Sequence, residues 1–124
     1  MILESVTPDG LVAELTGIGE GFAGETIASG RDAIDLVGNA SYQGFEAVLL
    51  NADRLAPEFF DLSSGLAGEV LQKFSNYGMQ LGIIGDFEGS ASESLRAFIR
   101  ESNRNGQTVF ARSQTEALGL LRRG

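Results

Sequence analysis

The stretch Phe59-Phe60-Asp61-Leu62-Ser63-Ser64-Gly65-Leu66 decides the fold, because it begins the helix at the centre of the chain. Asp61 is a natural helix N-cap, since its carboxylate can accept hydrogen bonds from the free N–H groups of a first turn. The apolar residues that follow recur at helical spacing and fill one broad arc: Leu62, Leu66, Ala67, Val70, Leu71, Phe74 and Tyr77. The stretch therefore predicts a central amphipathic helix over residues 62–77.

Short apolar runs on both sides of this helix predict buried strands at residues 45–50 and 79–84. Runs of similar character predict the other strands, at residues 2–6, 11–16, 25–28 and 107–111. The first two of these are joined by Pro8-Asp9-Gly10, in which proline presets φ and glycine accepts a positive φ. The chain therefore opens with an antiparallel hairpin.

Three further helices are predicted from the serines that would cap them. Ser29 precedes a helix whose inner side would hold Ala33, Ile34, Leu36 and Val37. Ser90 with Glu93, and Ser113 with Glu116, have the spacing of capping boxes and predict the starts of the last two helices.

The predicted elements follow one another in the order β-β-β-α-β-α-β-α-β-α. Helices that alternate with the later strands favour a largely parallel sheet, and the opening hairpin adds an antiparallel part. We therefore expect an α/β fold with a single mixed sheet and about four helices. A chain of 124 residues falls in the range of one domain, which we expect to span residues 1–124.

Composition removes much of the usual enzyme chemistry. The chain has no cysteine, which excludes disulfides and thiolate nucleophiles and gives no indication of secretion. It also has no histidine, so imidazole bases, Ser-His-Asp triads and histidine-bound metals are excluded. We expect no cofactor, no metal site and no assembled catalytic residues, and a binding or regulatory role more than an enzymatic one.

Charge and hydropathy limit the partners. The net charge of −8 disfavours nucleic acid and anionic membrane surfaces. Residues 1–6 lack the basic region and long apolar run of a signal peptide, and no apolar stretch approaches the roughly 20 residues of a membrane span. We expect a cytoplasmic protein and leave homo-oligomerisation open.

Residues 19–24 form a literal G-x-G-x-x-G, the pattern of dinucleotide-binding loops. That function requires a helix start directly after the glycines, because the helix end binds the pyrophosphate. Here the following residues are strand-like, and Glu20 and Glu25 place negative charge where phosphate would lie. We interpret the stretch as a plain loop.

Arg96, Arg100 and Arg104 recur every fourth residue, which places three guanidinium groups along one flank of a helix. Such a row could dock a phosphate or a carboxylate through bidentate hydrogen bonds. The alternative interpretation is a solvated face, balanced by Glu93 and Glu101.

Two polar residues stand where buried strands end. Asn51 follows one predicted strand and Asp86 follows the next, and open α/β sheets tend to bind ligands at such ends. Both are candidate pocket residues, although a plain turn residue in Gly85-Asp86-Phe87 is the favoured interpretation of Asp86.

Ser63 and Ser64 fall in the first turn of the predicted central helix, beside its positive end. The helix dipole would favour a phosphate there and Asp61 would oppose it, so phosphorylation would change the local charge sharply. Together with Gly65 these residues form a candidate interaction or phosphoacceptor site, and simple capping is the alternative.

Several motifs resemble a bacterial family known as domain of unknown function 4180. They are the residue 59–74 segment, Asn76-Tyr77, Gly85-Asp86-Phe87 and the segments Phe98-Ile99 and Glu101-Ser102-Asn103. The similarity covers roughly residues 32–121 and implies no particular activity.

The stretch Ser63-Ser64-Gly65-Leu66, which leads on to Gly78-Met79-Gln80-Leu81, is also similar to the STAS domains of anti-sigma-factor antagonists. The order of elements agrees, and the resemblance implies a STAS-like fold. In that family the serine before the glycine accepts phosphate from a partner kinase and so controls protein binding. The resemblance assigns that role to Ser64.

Two functional hypotheses follow. The first is a non-enzymatic regulatory domain that contacts a protein, of the kinase or sigma-regulator type, through the surface around Asp61–Gly65. The alternative is a domain that binds a small anion or nucleotide, or a carboxylate-dependent enzyme, with a pocket near Asn51, Asp86 and the loop at residues 17–24.

Overall fold

The computed structural model describes residues 2–17, 26–89 and 91–121. The strands are β1 (Ile2–Ser5), β2 (Val12–Gly17), β3 (Ala47–Asn51), β4 (Gln80–Ile84) and β5 (Thr108–Ala111). The helices are α1 (Gly30–Tyr42), α2 (Leu66–Asn76), α3 (Glu93–Asn105) and α4 (Gln114–Leu120). Three short 3-10 turns connect β3 to α2: Ala52–Arg54, Pro57–Phe60 and Leu62–Ser64. The glycine-rich residues 19–24, interpreted above as a loop, lie outside the described residues.

The strands form one mixed sheet in the order β1-β2-β3-β4-β5. β1 pairs with β2 in the antiparallel sense, and every later neighbour pair is parallel. The predicted α/β fold, with an opening hairpin, a single sheet and four helices among the described residues, is confirmed. Because β2 to β5 are parallel, their carboxyl ends meet at one edge of the sheet.

β3 shows why the central strands are apolar throughout. Val48 and Leu50 point into the larger core cluster, which contains the inner side chains of α1 and α2. Ala47 and Leu49 point to the opposite face, where Ala117 of α4 covers them. Since successive side chains of a strand point to opposite faces, a strand covered on both sides loses the apolar–polar alternation.

α1 begins with the predicted cap, but one of the residues predicted to face the core is exposed. The Ser29 hydroxyl accepts a hydrogen bond from the Asp32 N–H at 3.2 Å, which caps the helix. The buried stripe of α1 consists of Ala33, Leu36, Val37 and Ala40. Ile34 was predicted to face inward and is 40% exposed, because one residue turns a helix by about 100° from the buried Ala33.

The strand predicted at residues 25–28 is wrong for its described part. Ile27 makes a single parallel bridge with Leu55, between the Arg54 carbonyl and the Ala56 N–H. The partner segment has no further extended residues, because a 3-10 turn begins at Pro57. Strand pairing cannot extend beyond the extended part of the partner segment. Ile27 is nevertheless buried, and this burial explains the strand-like pattern of the sequence.

The cap predicted at Ser113 is confirmed, whereas the cap predicted at Ser90 is wrong. α3 begins after Ser92, whose hydroxyl accepts from the Leu95 N–H at 3.0 Å. This choice directs Leu95 into the core, where it is 6% exposed. For α4 the Ser113 hydroxyl accepts from the Glu116 N–H at 3.1 Å.

Candidate functional site

The segment before α2 does not continue the helix as predicted. Leu62–Ser64 form a separate 3-10 turn, and α2 begins only at Leu66. The break lies at Gly65, whose φ of +81° is a left-handed conformation that favours glycine. At the other end Tyr77 was predicted to face inward and is 55% exposed, since α2 has already ended at Asn76.

Two serines fix the geometry of this segment. The Asp61 carboxylate accepts from the N–H of Ser63 at 3.1 Å and from its hydroxyl at 2.6 Å. The hydroxyl of Ser64 donates to the Glu58 carbonyl at 2.6 Å and accepts from the Leu66 N–H at 3.2 Å. Asp61 is therefore a cap, as predicted, but of a 3-10 turn, and Ser64 joins that turn to α2.

The connection after β4 approaches the first 3-10 turn closely. The Asp86 carboxylate accepts from the Glu88 N–H at 3.1 Å, which makes Asp86 the turn residue that its sequence context indicated. Gly85 has no room for a side chain. A Cβ there would lie 2.9 Å from the Ala52 Cβ and 3.2 Å from the Phe87 ring.

The segment before α2 and the connection after β4 line the same cleft of about 680 Å³, which we call the Asp61–Asp86 cleft. It opens at the carboxyl ends of β3 and β4, the edge at which parallel sheets commonly bind ligands. Its polar lining residues are Asp61, Ser63, Asp86, Ser92 and Ser94. Its apolar lining residues are Ala52, Pro57, Phe60, Leu62, Phe87, Ala91 and Leu95.

The cleft brings together residues that the sequence assigned to two different sites. Asp61 and Ser63, predicted for protein contact, share it with Asp86, predicted for a pocket. Ser64 and Asn51, although exposed, are not among its lining residues. A cavity therefore lies at the strand ends, where a pocket was predicted. Of the two predicted pocket residues, Asp86 lines it and Asn51 does not.

An aromatic cluster forms the wall between the cleft and the core. The Phe60 and Phe87 rings lie 5.9 Å apart, and Phe60 also contacts the fully buried Phe59 at 5.1 Å. Phe87 reaches Phe110 of β5 at 5.4 Å in an edge-on arrangement. Edge-on and tilted ring contacts of this kind hold the rings in place, so this wall is anchored in the core.

Sequence reasoning missed four residues of the cleft: Phe60, Phe87, Ser92 and Ser94. Phe60 and Phe87 were noticed only as family motifs, and Ser92 and Ser94 were not singled out. The available signal was position, because Phe60, Phe87 and Ser92 lie in connections that follow parallel strands and Ser94 lies in the first turn of α3. No periodicity or motif indicates that such connections share a cleft.

The arginine row of α3 is divided in the structure. Arg104 lies 3.1 Å from Glu101, an exposed ion pair along the helix. Arg96 and Arg100 instead line a smaller hollow together with Arg112, which follows β5. The three predicted arginines therefore do not act on one site.

The described residues lack two features that would indicate a metal site or a membrane span. They contain no cluster of three or more acidic, histidine or cysteine side chains arranged to hold a metal ion. Among the same residues no helix has the length and hydropathy needed to cross a bilayer.

The class of protein that these features define is an α/β domain with a largely parallel sheet and a partly apolar cleft at its strand ends. Residues 21–121 match the family model described as "Domain of unknown function (DUF4180)", and the chain belongs to this family. The predicted resemblance to that family is thereby confirmed, and the match includes every residue of the Asp61–Asp86 cleft. No curated protein and no solved structure matches the chain.

Proposed function

We propose that the protein is a non-catalytic binding domain that takes a ligand with an apolar body and a positively charged group into the Asp61–Asp86 cleft. The cleft itself carries the proposal. Its volume of about 680 Å³ and its mostly apolar lining are typical of small-molecule sites. Its position at the strand ends is the one that open α/β sheets use for ligands.

Charge determines the kind of ligand. Asp61 and Asp86 are both exposed, and none of the described residues that line the cleft is basic. The net charge of −8 adds to the negative potential around the two carboxylates. An amine or guanidinium group is therefore favoured over the anion or nucleotide expected from the sequence, while Phe60 and Phe87 offer faces for an apolar or aromatic body.

A matched pair of probes tests this charge preference. Phenethylamine and phenylacetate share an aromatic body and carry opposite charges, and each is titrated into the protein while the melting temperature is followed. Because a ligand stabilises the folded state that binds it, we expect stabilisation by the amine and none by the carboxylate. Equal stabilisation by both probes, or by neither, would refute the proposal.

Isosteric variants locate the effect. Asp86→Asn and Asp61→Asn keep the oxygen that accepts each backbone hydrogen bond and remove the charge. We expect both to weaken the response to phenethylamine. Asp35→Asn on α1 makes the same change of charge away from the cleft lining and serves as the control. A loss as large in Asp35→Asn would show that only the net charge matters.

A second candidate function is regulation through a protein partner at Asp61–Gly65, in the cytoplasm, as the STAS resemblance implies. The hydrogen bonds of Ser64 favour it. A phosphate on this exposed serine would remove the donor to the Glu58 carbonyl and disturb the acceptor of the Leu66 N–H. Modification would therefore rearrange the start of α2 as well as change its charge.

This candidate is tested by affinity capture from the native cytoplasm with wild type, Ser64→Asp and Ser75→Asp. Ser75 is an exposed serine near the end of α2 and provides the matched change of charge. We expect one protein to be retained by wild type and by Ser75→Asp and released by Ser64→Asp. Identical retention by all three forms would exclude a switch at Ser64.

A further inference from the structure

We propose a second binding site, for a small phosphate-bearing ligand, in a hollow of about 250 Å³ between α3 and the end of β5. We call it the Arg96–Arg112 hollow. Arg96 and Arg100 line it from α3, and Arg112 lines it from the residue after β5. The ligand chemistry is opposite to that of the Asp61–Asp86 cleft, so the two proposals stand or fall separately.

The partners of the acidic residues in the hollow leave two arginines for a ligand. Glu88 forms an ion pair with the guanidinium of Arg112, and the Glu116 carboxylate accepts from the backbone N–H of Arg112 at 3.2 Å. Among the described residues, no carboxylate lies within ion-pair distance of Arg96 or Arg100. Glu88 therefore pairs with the guanidinium of Arg112 and Glu116 bonds its backbone, so among the described residues neither Arg96 nor Arg100 has a counter-ion.

The acidic residue next to Arg100 on α3 is also paired with another arginine. Glu101 follows Arg100 directly, but it pairs with Arg104 at 3.1 Å. Arg96 and Arg100 lie one helical turn apart, which places their guanidinium groups on the same flank. Guanidinium groups recognise phosphate by paired N–H donors, so two on one flank can hold one phosphate together.

The floor of the hollow is apolar, which adds a requirement for the rest of the ligand. Phe87, Ile99 and Phe110 contribute to its lining beside the arginines. An aromatic or aliphatic group on the phosphate would cover these side chains and exclude water from the charged hydrogen bonds. We therefore expect a phosphate monoester with a small apolar group to bind more tightly than inorganic phosphate.

Titration with phenyl phosphate, inorganic phosphate and phenol, followed by the NMR signals of the arginine side chains, tests the site. We expect phenyl phosphate to bind most tightly and phenol not to bind. Arg100→Gln and Arg96→Gln should each weaken phenyl phosphate binding by about tenfold, the usual effect of losing a charged hydrogen bond. Arg31→Gln removes the same charge from α1, outside the hollow, and its affinity should stay within about twofold of wild type.

A gain of binding provides a test that misfolding cannot imitate. Glu88→Gln releases Arg112 from its ion pair and makes a third guanidinium available. The Glu88 side chain is 77% exposed, so its loss has little effect on stability. We expect tighter phenyl phosphate binding by this variant. Unchanged or weaker binding, or an equal loss in Arg31→Gln and Arg100→Gln, would overturn the proposal.

Discussion

Asn103 is expected to close the open edge of the sheet, and its removal should destabilise the protein. β5 is an edge strand, and Gln107 and Ala111 turn their carbonyls toward β4. By alternation, the N–H and carbonyl of Phe110 point away from the sheet. The side-chain amide of Asn103, from α3, bonds both: its NH₂ donates to the carbonyl at 3.1 Å and its oxygen accepts from the N–H at 2.7 Å.

The magnitude follows from these two bonds. Each hydrogen bond contributes about 0.5–1.5 kcal/mol net, so Asn103→Ala should lower the free energy of unfolding by about 1–3 kcal/mol. The loss should lie in the upper half of this range, because Phe110 is 2% exposed and water reaches its backbone poorly. Each kcal/mol corresponds to a fall in melting temperature of about 3–6 °C for a chain of this size.

Urea denaturation measures the change, and amide hydrogen exchange locates it. The Phe110 amide should exchange faster in Asn103→Ala by more than the global loss of stability explains, whereas the Val109 amide, which points to β4, should follow the global change. Asn105→Ala, on the same helix and exposed, should stay within about 0.5 kcal/mol of wild type. Unchanged Phe110 protection together with unchanged stability would refute the assignment of Asn103 to this edge.

Four further substitutions test the packing at three glycines and one charged hydrogen bond. Gly82→Ala would place a Cβ 2.5 Å from the Leu49 side chain, and in this closed core we expect a loss of about 1–3 kcal/mol by urea denaturation. Gly119→Ala on α4 meets nothing within 4 Å and should be neutral or stabilising, so equal losses would contradict the steric reason. Gly85→Ala would press on the Ala52 Cβ, which cannot rotate away. We therefore expect the NMR signals of the neighbouring Phe87 ring to shift. Unshifted signals would mean that the backbone yields without cost. Glu69→Gln removes the charge that accepts from the Gly30 N–H at the start of α1, 3.0 Å away, and should cost about 0.3–1 kcal/mol at low salt. That cost should shrink as salt is added, and a cost independent of salt would argue against an electrostatic origin.

The fold could be predicted because its signals are local. β3 and β4 are buried on both faces, and a run such as Val48-Leu49-Leu50 reports that burial directly. Capping serines such as Ser29 and Ser113 likewise act within their own first turn. The pattern failed where a distant segment decides the conformation, as at Ile27, whose single bridge within the described residues is to Leu55.

The site could be predicted only in parts, for the same physical reason. Asp61 and Asp86 each stand out locally, one as a cap and the other as a turn residue. The turn role of Asp86 is confirmed, whereas Asp61 caps a 3-10 turn and not the predicted central helix. Their meeting across a cleft depends on the sheet, which aligns the ends of β3 and β4. It depends also on Gly85, which lets the two connections approach. Neither effect leaves a trace in the sequence around Asp61.

The connection after β4 lies between the Asp61–Asp86 cleft and the Arg96–Arg112 hollow, whose charges are opposite. Asp86 faces the Asp61–Asp86 cleft, Glu88 pairs with Arg112 at the Arg96–Arg112 hollow, and the ring of Phe87 lines both. The alternation of acid, aromatic ring and acid over three residues therefore separates a negative cleft from a positive hollow. Because Phe87 packs on Phe110 in the core, it cannot move toward one site without changing the shape of the other. The fixed ring of Phe87 therefore separates the cleft from the hollow. A change of shape in either one should be detectable first at Phe87.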